Sequence, residues 1–337
     1  MRRDRPIQLN APAGDLLSLM AAVDAGADSV YIGFQSPTNL RNLPGLNFSV
    51  EDAAEGVAYA RQRGARMHVA VNTHPMDHQL EACFRAVDDA EAIGADAVIA
   101  ADWAVLEYAR TQHPHLEVHL SCLAGAADPQ AIRFYRERFG VTCIILPRVL
   151  SVEQIAAVRR ETDALLEVMV FGVLCANYDG RCCLSSFITG ASANSIGACA
   201  PVEFVAFGES EGGGLRVQLN GVEIHRFAAS EQRTYPTPCK GTYANAVTGR
   251  RSHVFQDACC LNAMAVLPDL SAAGVDIVKI EGRQRSLAYV RQVTSAWRKA
   301  IDALDQRDPL AAGGDGIADL SSITEGRAES LGALAGG

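Results

Sequence analysis

The sequence predicts an α/β fold in which eight parallel strands, each followed by a helix, close into a (β/α)8 TIM-type barrel. Short runs of β-branched and apolar residues alternate with alanine-rich segments of helical periodicity, and one helix-to-strand junction recurs along the chain. The length of 337 residues also lies within the usual range of such a barrel. Because eight strand–helix units can be identified, a closed barrel is favoured over a doubly wound open sheet.

The predicted strands are almost continuously apolar, which is typical of parallel strands covered on both faces. In chain order they are IQLNAPAG (7–14), DSVYIGF (28–34), RMHVAVNT (66–73), DAVIAAD (96–102), EVHLSC (117–122), TCIILPR (142–148), LEVMVFG (166–172) and DIVKIEG (276–282).

Helices are predicted between most of these strands and after the last one. The junctions AGADSVYI, IGADAVIA and AGVDIVKI each place a glycine at the end of a helix, where it can adopt the left-handed cap conformation, and the strand begins two residues later. The predicted helices cover 16–27, 50–65, 79–95, 129–140 and, as the closing helix, 289–304.

The gap between the seventh and eighth strands, residues 173–275, is too long for a simple helical crossover. Loops that follow the strands form the active face of a barrel, so we expect this insertion to lie over the barrel mouth. Within it, LRVQLNGVEIHRF (215–227) alternates around Asn-Gly and predicts a β-hairpin. The expected organisation is one barrel domain over 7–304 that includes the insertion, followed by a loosely ordered tail over 308–337.

Composition is that of an ordinary globular protein, with 49% apolar and 20% charged residues. No uncharged apolar run is long enough for an integral membrane segment, and the N-terminus MRRDRPIQLNAPAG lacks the apolar region of a secretory signal. These features predict a cytoplasmic protein whose ten cysteines are reduced thiols or metal ligands. The net charge of −9 argues against a general nucleic-acid binder.

Four cysteines stand apart from the others because they lie in loops rich in glycine, proline and asparagine. Cys175, Cys182, Cys199 and Cys239 have the spacing C-x6-C-x16-C-x39-C. Loop thiolates can hold an iron–sulfur cluster or a structural zinc ion, and the spacing alone does not choose between them. The absence of a tight Cys-x2–4-Cys pair disfavours zinc.

The remaining cysteines and the strand histidines are predicted to pack in the protein interior. Cys83, Cys122 and Cys143 lie in helix or strand patterns among apolar neighbours, and His68 and His119 lie within strands. Two further thiols, Cys259 and Cys260, precede the helix-like segment LNAMAVLPDL and are expected to pack as well.

The segment EVMVFGVLCANYDGRCCLSS resembles the signature of the collagenase-like peptidase family, E-x-F-x-x-G-x-x-C-x-x-x-x-G-x-C-x-L-S in outline. Met169 departs from it, since the signature usually has an aromatic residue there. The resemblance extends over roughly 7–304 and includes APAGDLLSLMAAVDAGADSVYIG, LPRVLS, NSIGACAP, YPTPCKGTY and VKIEGRQRS. Within the family, the chain is most similar to members that take part in oxygen-independent ubiquinone biosynthesis. It shares with them the GLNFS segment, a length of about 330 residues and the absence of the extra C-terminal domain found in RNA-modifying members.

The resemblance implies a [4Fe–4S] protein that hydroxylates the ring of a ubiquinone precursor without O2, together with a paralogous subunit. It implies prephenate as the donor of the hydroxyl group, and a lipid-binding carrier is a further expected partner because the precursor is hydrophobic. By position, Cys175, Cys182, Cys199 and Cys239 match the family's cluster ligands, and the neighbouring Cys183 is expected to be a bystander.

Polar residues at the strand ends are the candidates for substrate binding. The eighth strand ends in Lys279, Glu281, Arg283 and Arg285 at alternate positions, so that one subset faces the barrel mouth. A guanidinium there can bind a carboxylate through two hydrogen bonds, which suits a dianionic donor. We expect Arg283 first, then Arg148, Asn72 and Lys279, to contact the substrate.

Other functions are open at this stage. Base hydroxylation in tRNA or rRNA is the second enzymatic hypothesis, and a non-catalytic scaffold or electron-carrier subunit is the third. Peptidase activity has little support, because the chain contains no HExxH or GxSxG motif. No catalytic residue can be assigned from the sequence.

Overall fold

The computed structural model confirms the predicted barrel. It describes residues 6–231, 233, 235, 237–306, 320, 323–324 and 328–336. Eight parallel strands pair in sequential order, and the last pairs with both the first and the seventh, which closes the sheet. The barrel strands are β1 (Gln8–Pro12), β2 (Ser29–Ile32), β3 (Arg66–Val71), β4 (Ala97–Ala100), β5 (Glu117–Leu120), β6 (Cys143–Ile145), β7 (Leu165–Val173) and β14 (Ile277–Ile280).

Helices surround the barrel and cover the outward side chains of the strands. Several begin at a side chain that caps the first turn: Asp15 accepts a hydrogen bond from the Ser18 amide, and Ser49 accepts one from the Asp52 amide. The helices between barrel strands are α1 (Leu16–Asp24), α2 (Val50–Gln62), α3 (Leu80–Ala92), α4 (Trp103–Gln112), α5 (Pro129–Phe139) and α6 (Val152–Glu161).

The closing helix is longer than predicted at both ends. Helix α10 (Leu287–Gln306) packs against α1 and β1, and its Trp297 is among the largest fully buried side chains of the main core. This contact joins the last helix of the described barrel to the first, so the helical layer closes as the sheet does.

The insertion after β7 contains its own small sheet. The predicted hairpin is present as β9 (Gly214–Leu219) and β10 (Val222–Phe227), with Asn220 and Gly221 both at positive φ in the turn. A third strand that the sequence analysis did not predict, β8 (Val205–Ser210), pairs with β9. The other elements of the insertion are α7 (Leu184–Thr189), α8 (Ala193–Ile196), β11 (Thr242–Ala244) and β12 (Arg251–His253).

The chain re-enters the barrel beside the point where it left. Strand β13 (Cys259–Asn262) pairs antiparallel with the last residues of β7, in the register Cys260 to Val173 and Asn262 to Phe171. The segment expected to be helical from Leu261 therefore begins as a strand, and the helix α9 (Leu267–Ala272) starts later. The cysteine at the centre of this strand, Cys260, is buried as expected.

Most of the tail predicted to be loosely ordered lies outside the described residues. Within it, β15 (Ala328–Ser330) forms a parallel pair with β13, a strand that the sequence analysis did not predict. No helix of the described residues is long and apolar enough to cross a membrane.

The insertion docks on the loop after β2. The carbonyl of Gly197 accepts hydrogen bonds from the amides of Arg41 and Asn42 at 2.7 and 3.2 Å. Gly197 has a φ of +82°, and a Cβ added there would lie 2.2 Å from the backbone oxygen of Asn39. Only glycine therefore fits this contact.

We expect Gly197→Ala to destabilise the protein more than Gly190→Ala. Both glycines have positive φ, which costs a non-glycine residue about 1–2 kcal/mol, but a Cβ at Gly190 meets nothing within 4 Å. Chemical denaturation gives the free energy of unfolding of each variant. The difference between the two variants measures the contribution of the contact between the insertion and the loop after β2. Equal losses in the two variants would contradict the close approach of the insertion to the loop after β2.

Candidate functional site

A cavity of about 150 Å³ lies at the carboxyl end of the barrel, below the insertion. Its wall brings together two groups of residues that are far apart in the sequence. The loop cysteines Cys175, Cys182, Cys199 and Cys239 line it, and so do the predicted substrate residues Arg283, Arg148, Asn72 and Lys279. The insertion therefore lies over the mouth of the barrel, as predicted from its position after the seventh strand.

Each loop cysteine is held by a different short element. Cys175 follows β7, Cys182 precedes α7, Cys199 follows α8, and Cys239 lies in a single turn at Pro238–Lys240. Polar groups lie beside two of the sulfurs: Asn177 Nδ2 donates to Cys182 Sγ at 3.6 Å, and Thr237 Oγ1 lies 3.4 Å from Cys239 Sγ. The adjacent Cys183 is exposed and does not line the cavity.

The four sulfurs are too far apart for a single zinc ion in the geometry present. Within the described part of the chain, a group of three ligand atoms all within 4.8 Å of one another occurs elsewhere, and no three of these cysteines form one. Two thiolates bound to one zinc ion lie at most about 4.6 Å apart, since each Zn–S bond is about 2.3 Å. The all-thiol donor set is of the type that holds an iron–sulfur cluster.

Burial affects the thiol pKa of two of the loop cysteines, Cys199 and Cys175. It raises the pKa of Cys199 to about 11, against an opposing effect of the Arg41 guanidinium. It also raises the pKa of Cys175, where Arg148 is the opposing cation. Ligation has to displace these protons, and the two guanidinium groups stabilise the thiolates that result.

Arg148 anchors the cysteine loop to the barrel. Its Nη2 lies 2.5 Å from Asp179 Oδ1, its backbone amide donates to Asp179 Oδ2 at 2.9 Å, and its Nη1 donates to the carbonyl of Val173. Both side chains are largely buried. The charge of Arg148 is therefore neutralised by a carboxylate between Cys175 and Cys182.

Lys279 is also neutralised within the site. Its ammonium donates to Glu167 Oε1 at 2.8 Å and lies 3.7 Å from the centroid of the Tyr31 ring. A similar pair, which the sequence analysis did not identify, joins Arg41 to Glu281 at 2.9 Å. Cavity cations with a bonded carboxylate have less charge to offer to an anionic ligand.

Arg283 differs from these cations because its hydrogen-bond acceptors are neutral. Its Nη1 donates to the amide oxygens of Asn39 and Asn47, each at 3.0 Å, and its Nη2 donates to the carbonyl of Leu40. Burial lowers the pKa of Arg283 to about 10, which reflects the cost of a buried charge without a bonded carboxylate.

Asn72 supports the same loop that Arg283 holds. Its Oδ1 accepts a hydrogen bond from the Leu40 amide at 3.0 Å, and its Nδ2 lies 3.4 Å from Ser121 Oγ. The contacts of Asn72 and Arg283 show that both position the loop after β2 at the cavity wall.

Lys240 is a cavity residue that the sequence analysis missed. Its ammonium nitrogen is buried, and among the described residues it has no hydrogen-bond partner. The available signal was its place directly after Cys239 in YPTPCKGTY.

Comparison with known proteins identifies relatives over nearly the whole chain. The model of "Peptidase family U32" matches residues 14–328. The chain is 32% identical to "tRNA hydroxylation protein P1" of Bacillus subtilis (strain 168), over 88% of this chain and 63% of that protein. It is 30% identical to "23S rRNA 5-hydroxycytidine C2501 synthase" of Escherichia coli (strain K12), over 92% of this chain and 42% of that protein.

The chain thus spans less than two thirds of the length of both proteins. Among solved structures, "The Structure of the U32 Peptidase Mk0906" matches with a TM-score of 0.47 and 14% identity, over 84% of this chain and 96% of that one.

We expect Arg148→Ala to destabilise the protein strongly. Loss of one partner from a buried ion pair leaves the other charge uncompensated and costs about 3–5 kcal/mol. Arg136→Ala is the matched control, because the partner Asp163 is 84% exposed and stays solvated. The free energies of unfolding of both variants test this, and a loss in Arg148→Ala no larger than in the control would contradict it.

Proposed function

We propose a role in oxygen-independent hydroxylation for this chain, which belongs to peptidase family U32. In this proposal it is a UbiU-like [4Fe–4S] protein that acts with a paralogous, UbiV-like subunit on the aromatic ring of a ubiquinone precursor. The observation that carries the proposal is the convergence of four loop cysteines on a cavity that also contains a buried guanidinium with no carboxylate bonded to it. The names of the relatives as hydroxylation proteins support the reaction class.

The cysteines Cys175, Cys182, Cys199 and Cys239 would hold the cluster. When bound, a [4Fe–4S] cluster with four cysteine ligands supplies single-electron transfer or structural support. Arg41 and Arg148 lie close enough to affect the thiols electrostatically, so they would stabilise the negative charge of the ligated state.

The donor of the hydroxyl group would be a small dianion such as prephenate. Arg283 and Lys240 are the cavity cations best suited to its carboxylates, since neither has a bonded carboxylate among the described residues. Arg148 and Lys279 are already paired with Asp179 and Glu167. They would act on the donor through their electrostatic field and by positioning the cavity wall, more than by direct contact. Asn72 would hold the cavity wall in place.

The hydrophobic ring precursor would reach the cavity mouth from a lipid-binding carrier. The cavity has apolar wall residues for such a ring, among them Leu40, Met169 and Leu174. A polar donor held by cations and an apolar ring held by aliphatic side chains would then meet in one site, which is the geometry that a two-substrate hydroxylation requires.

A second candidate function is hydroxylation of an RNA base, which the names of the relatives favour. The net charge of −9 weighs against it, because RNA binding by itself favours a positively charged surface. Deletion of the gene separates the two functions: loss of quinone formed without O2 supports the first, and loss of a hydroxylated base supports the second. If substitutions in the cavity leave quinone synthesis intact while deletion abolishes it, the chain acts as a scaffold or electron carrier for its partner.

Proteolysis is not part of the proposal. Burial raises the pKa of Cys83 to about 11 and that of Cys122 to about 12, which makes both poor nucleophiles near neutral pH. Where a cysteine and a histidine approach each other, at Cys143 and His119, burial raises the pKa of the Cys143 thiol well above its ordinary value.

Protein prepared without air should contain about four iron and four sulfide ions per chain, as expected of one [4Fe–4S] cluster. Cys175→Ala and Cys199→Ala should abolish this iron, because each removes a ligand. Cys143→Ala should leave it unchanged, since Cys143 lies in β6 and does not line the cavity. Iron and sulfide analysis tests this, and one equivalent of zinc with no iron after anaerobic reconstitution would contradict it.

Arg283→Gln should reduce quinone formed without O2 by roughly tenfold or more, since a hydrogen bond to a charged group contributes about 1.5–3 kcal/mol and 1.4 kcal/mol corresponds to a factor of ten. The glutamine amide can still donate to the loop after β2 but has no charge. Arg285→Gln is the control, because Arg285 stacks on Tyr289 and does not line the cavity. With cluster content and partner binding intact, normal quinone levels in Arg283→Gln would remove Arg283 from the substrate site.

A further inference from the structure

The barrel interior contains a group of polar side chains that the candidate site does not use. Asn10, His68, His119, Cys143 and Glu167 come from five strands, are each at most 2% exposed, and do not line the cavity. Polar groups at this depth are normally paired. Their arrangement therefore calls for an explanation.

Three of these side chains are close enough to share one ion. A ring nitrogen of His119, the sulfur of Cys143 and a carboxylate oxygen of Glu167 all lie within 4.8 Å of one another. Bonds from zinc to nitrogen, oxygen and sulfur are about 2.0–2.3 Å, so ligands of one ion are separated by up to about 4.6 Å. The three atoms thus need to move little to meet at a common centre.

Unpartnered ring nitrogens occur in and beside this group. Both ring nitrogens of His68 and Nδ1 of His119 are buried and have no hydrogen-bond partner among the described residues. The two rings contact each other edge to face, with centroids 4.6 Å apart. A network of hydrogen bonds alone would leave His68 unsatisfied, whereas an ion would give it a partner.

The outer contacts of Glu167 and His119 leave one atom of each free for the ion. Asn10 Nδ2 and Lys279 Nζ both donate to Glu167 Oε1 at 2.8 Å, while Oε2 faces Cys143 Sγ at 3.7 Å. Glu117 Oε2 lies 3.4 Å from Nε2 of His119, on the other side of the ring from Nδ1. Such contacts to the far atom of a ligand are typical of metal sites, because they fix its orientation.

We propose that the barrel interior binds one divalent zinc ion through His119, Cys143 and Glu167. The ring of His68, which contacts the His119 ring but does not belong to the group within 4.8 Å, would turn toward the ion and become the fourth ligand. Nitrogen, sulfur and oxygen donors in a four-coordinate set match the ligand preference of zinc. Binding displaces the proton of the Cys143 thiol to solvent. The resulting thiolate and the Glu167 carboxylate then carry two negative charges, against two positive charges on the ion and one on Lys279, which donates to Glu167 Oε1. Four protein ligands leave no open position, so the ion is structural and separate from the loop cysteines.

The layer above the site separates it from the cavity. Tyr31, Ile145 and Met169 line the cavity, whereas none of the four proposed ligands does. Exchange of the ion therefore requires opening of the barrel, and a chelator such as EDTA should remove it from the native protein only slowly.

The test is metal analysis of the full-length protein purified without air from zinc-containing medium. We expect about one zinc ion per chain in the wild type. The same content is expected in Cys199→Ala, which lacks a loop ligand, and in Cys83→Ser, a control at a buried cysteine of α3. His119→Gln and Cys143→Ser should each lose the zinc and keep the iron and sulfide of the loop site. This pattern distinguishes the interior site from the proposed function, which concerns the loop cysteines alone.

If His119→Gln and Cys143→Ser fail to fold, replacement of the zinc ion by cobalt tests the same site. Wild-type protein refolded with Co²⁺ should show a thiolate-to-cobalt charge-transfer band, and Cys199→Ala should show the same band. Absence of zinc from the wild type, zinc that persists in both His119→Gln and Cys143→Ser, or a cobalt band that is lost in Cys199→Ala would each overturn the proposal.

Discussion

The structure depends above all on the closing strand β14 and the residues directly after it, because they connect the barrel interior, the loop after β2 and, through that loop, the insertion. Within the barrel, Lys279 binds Glu167 of β7 at 2.8 Å. At the strand end, Glu281 binds Arg41 at 2.9 Å, and Arg283 holds the loop through Asn39 and Asn47. That loop in turn donates two backbone hydrogen bonds to Gly197, two residues before Cys199. The position of a cavity cysteine is therefore determined, through a chain of short contacts, by the closure of the sheet.

The cavity wall contains two kinds of cation, those paired with a carboxylate and those without one. Most of its cations are neutralised by carboxylates: Arg148 by Asp179, Lys279 by Glu167 and Arg41 by Glu281. These pairs stabilise the framework without attracting an anion strongly. Arg283 is bonded to neutral oxygens instead, and the lowering of its pKa to about 10 shows what burial of its charge costs. A carboxylate ligand would relieve that cost, which is why an unneutralised cation in the cavity can matter more than the net charge of the chain.

The sequence predicted the eight barrel strands, the hairpin at 215–227 and the position of the insertion, because each follows from local periodicity and from the order of strands and helices. It did not predict the partners of Arg283 or the group around Glu167. Those contacts join residues 244 and 157 positions apart, as in Arg283 to Asn39 and Asn10 to Glu167. They depend on barrel register, which no local pattern encodes. Strands β8, β11, β12, β13 and β15 were missed for a related reason, since they gain their stability from pairing with neighbours.

The antiparallel pair between β13 and the end of β7 places the departure and the return of the insertion side by side, at Val173 and Cys260. Because the two ends of the insertion lie side by side, its length or sequence can change while the distance between the flanking barrel strands stays the same. The entropic cost of closing such a loop also rises only slowly with its length. The barrel can thus keep its register while the inserted segment varies, and the wall that this segment contributes to the cavity can change without a change in the sheet below it.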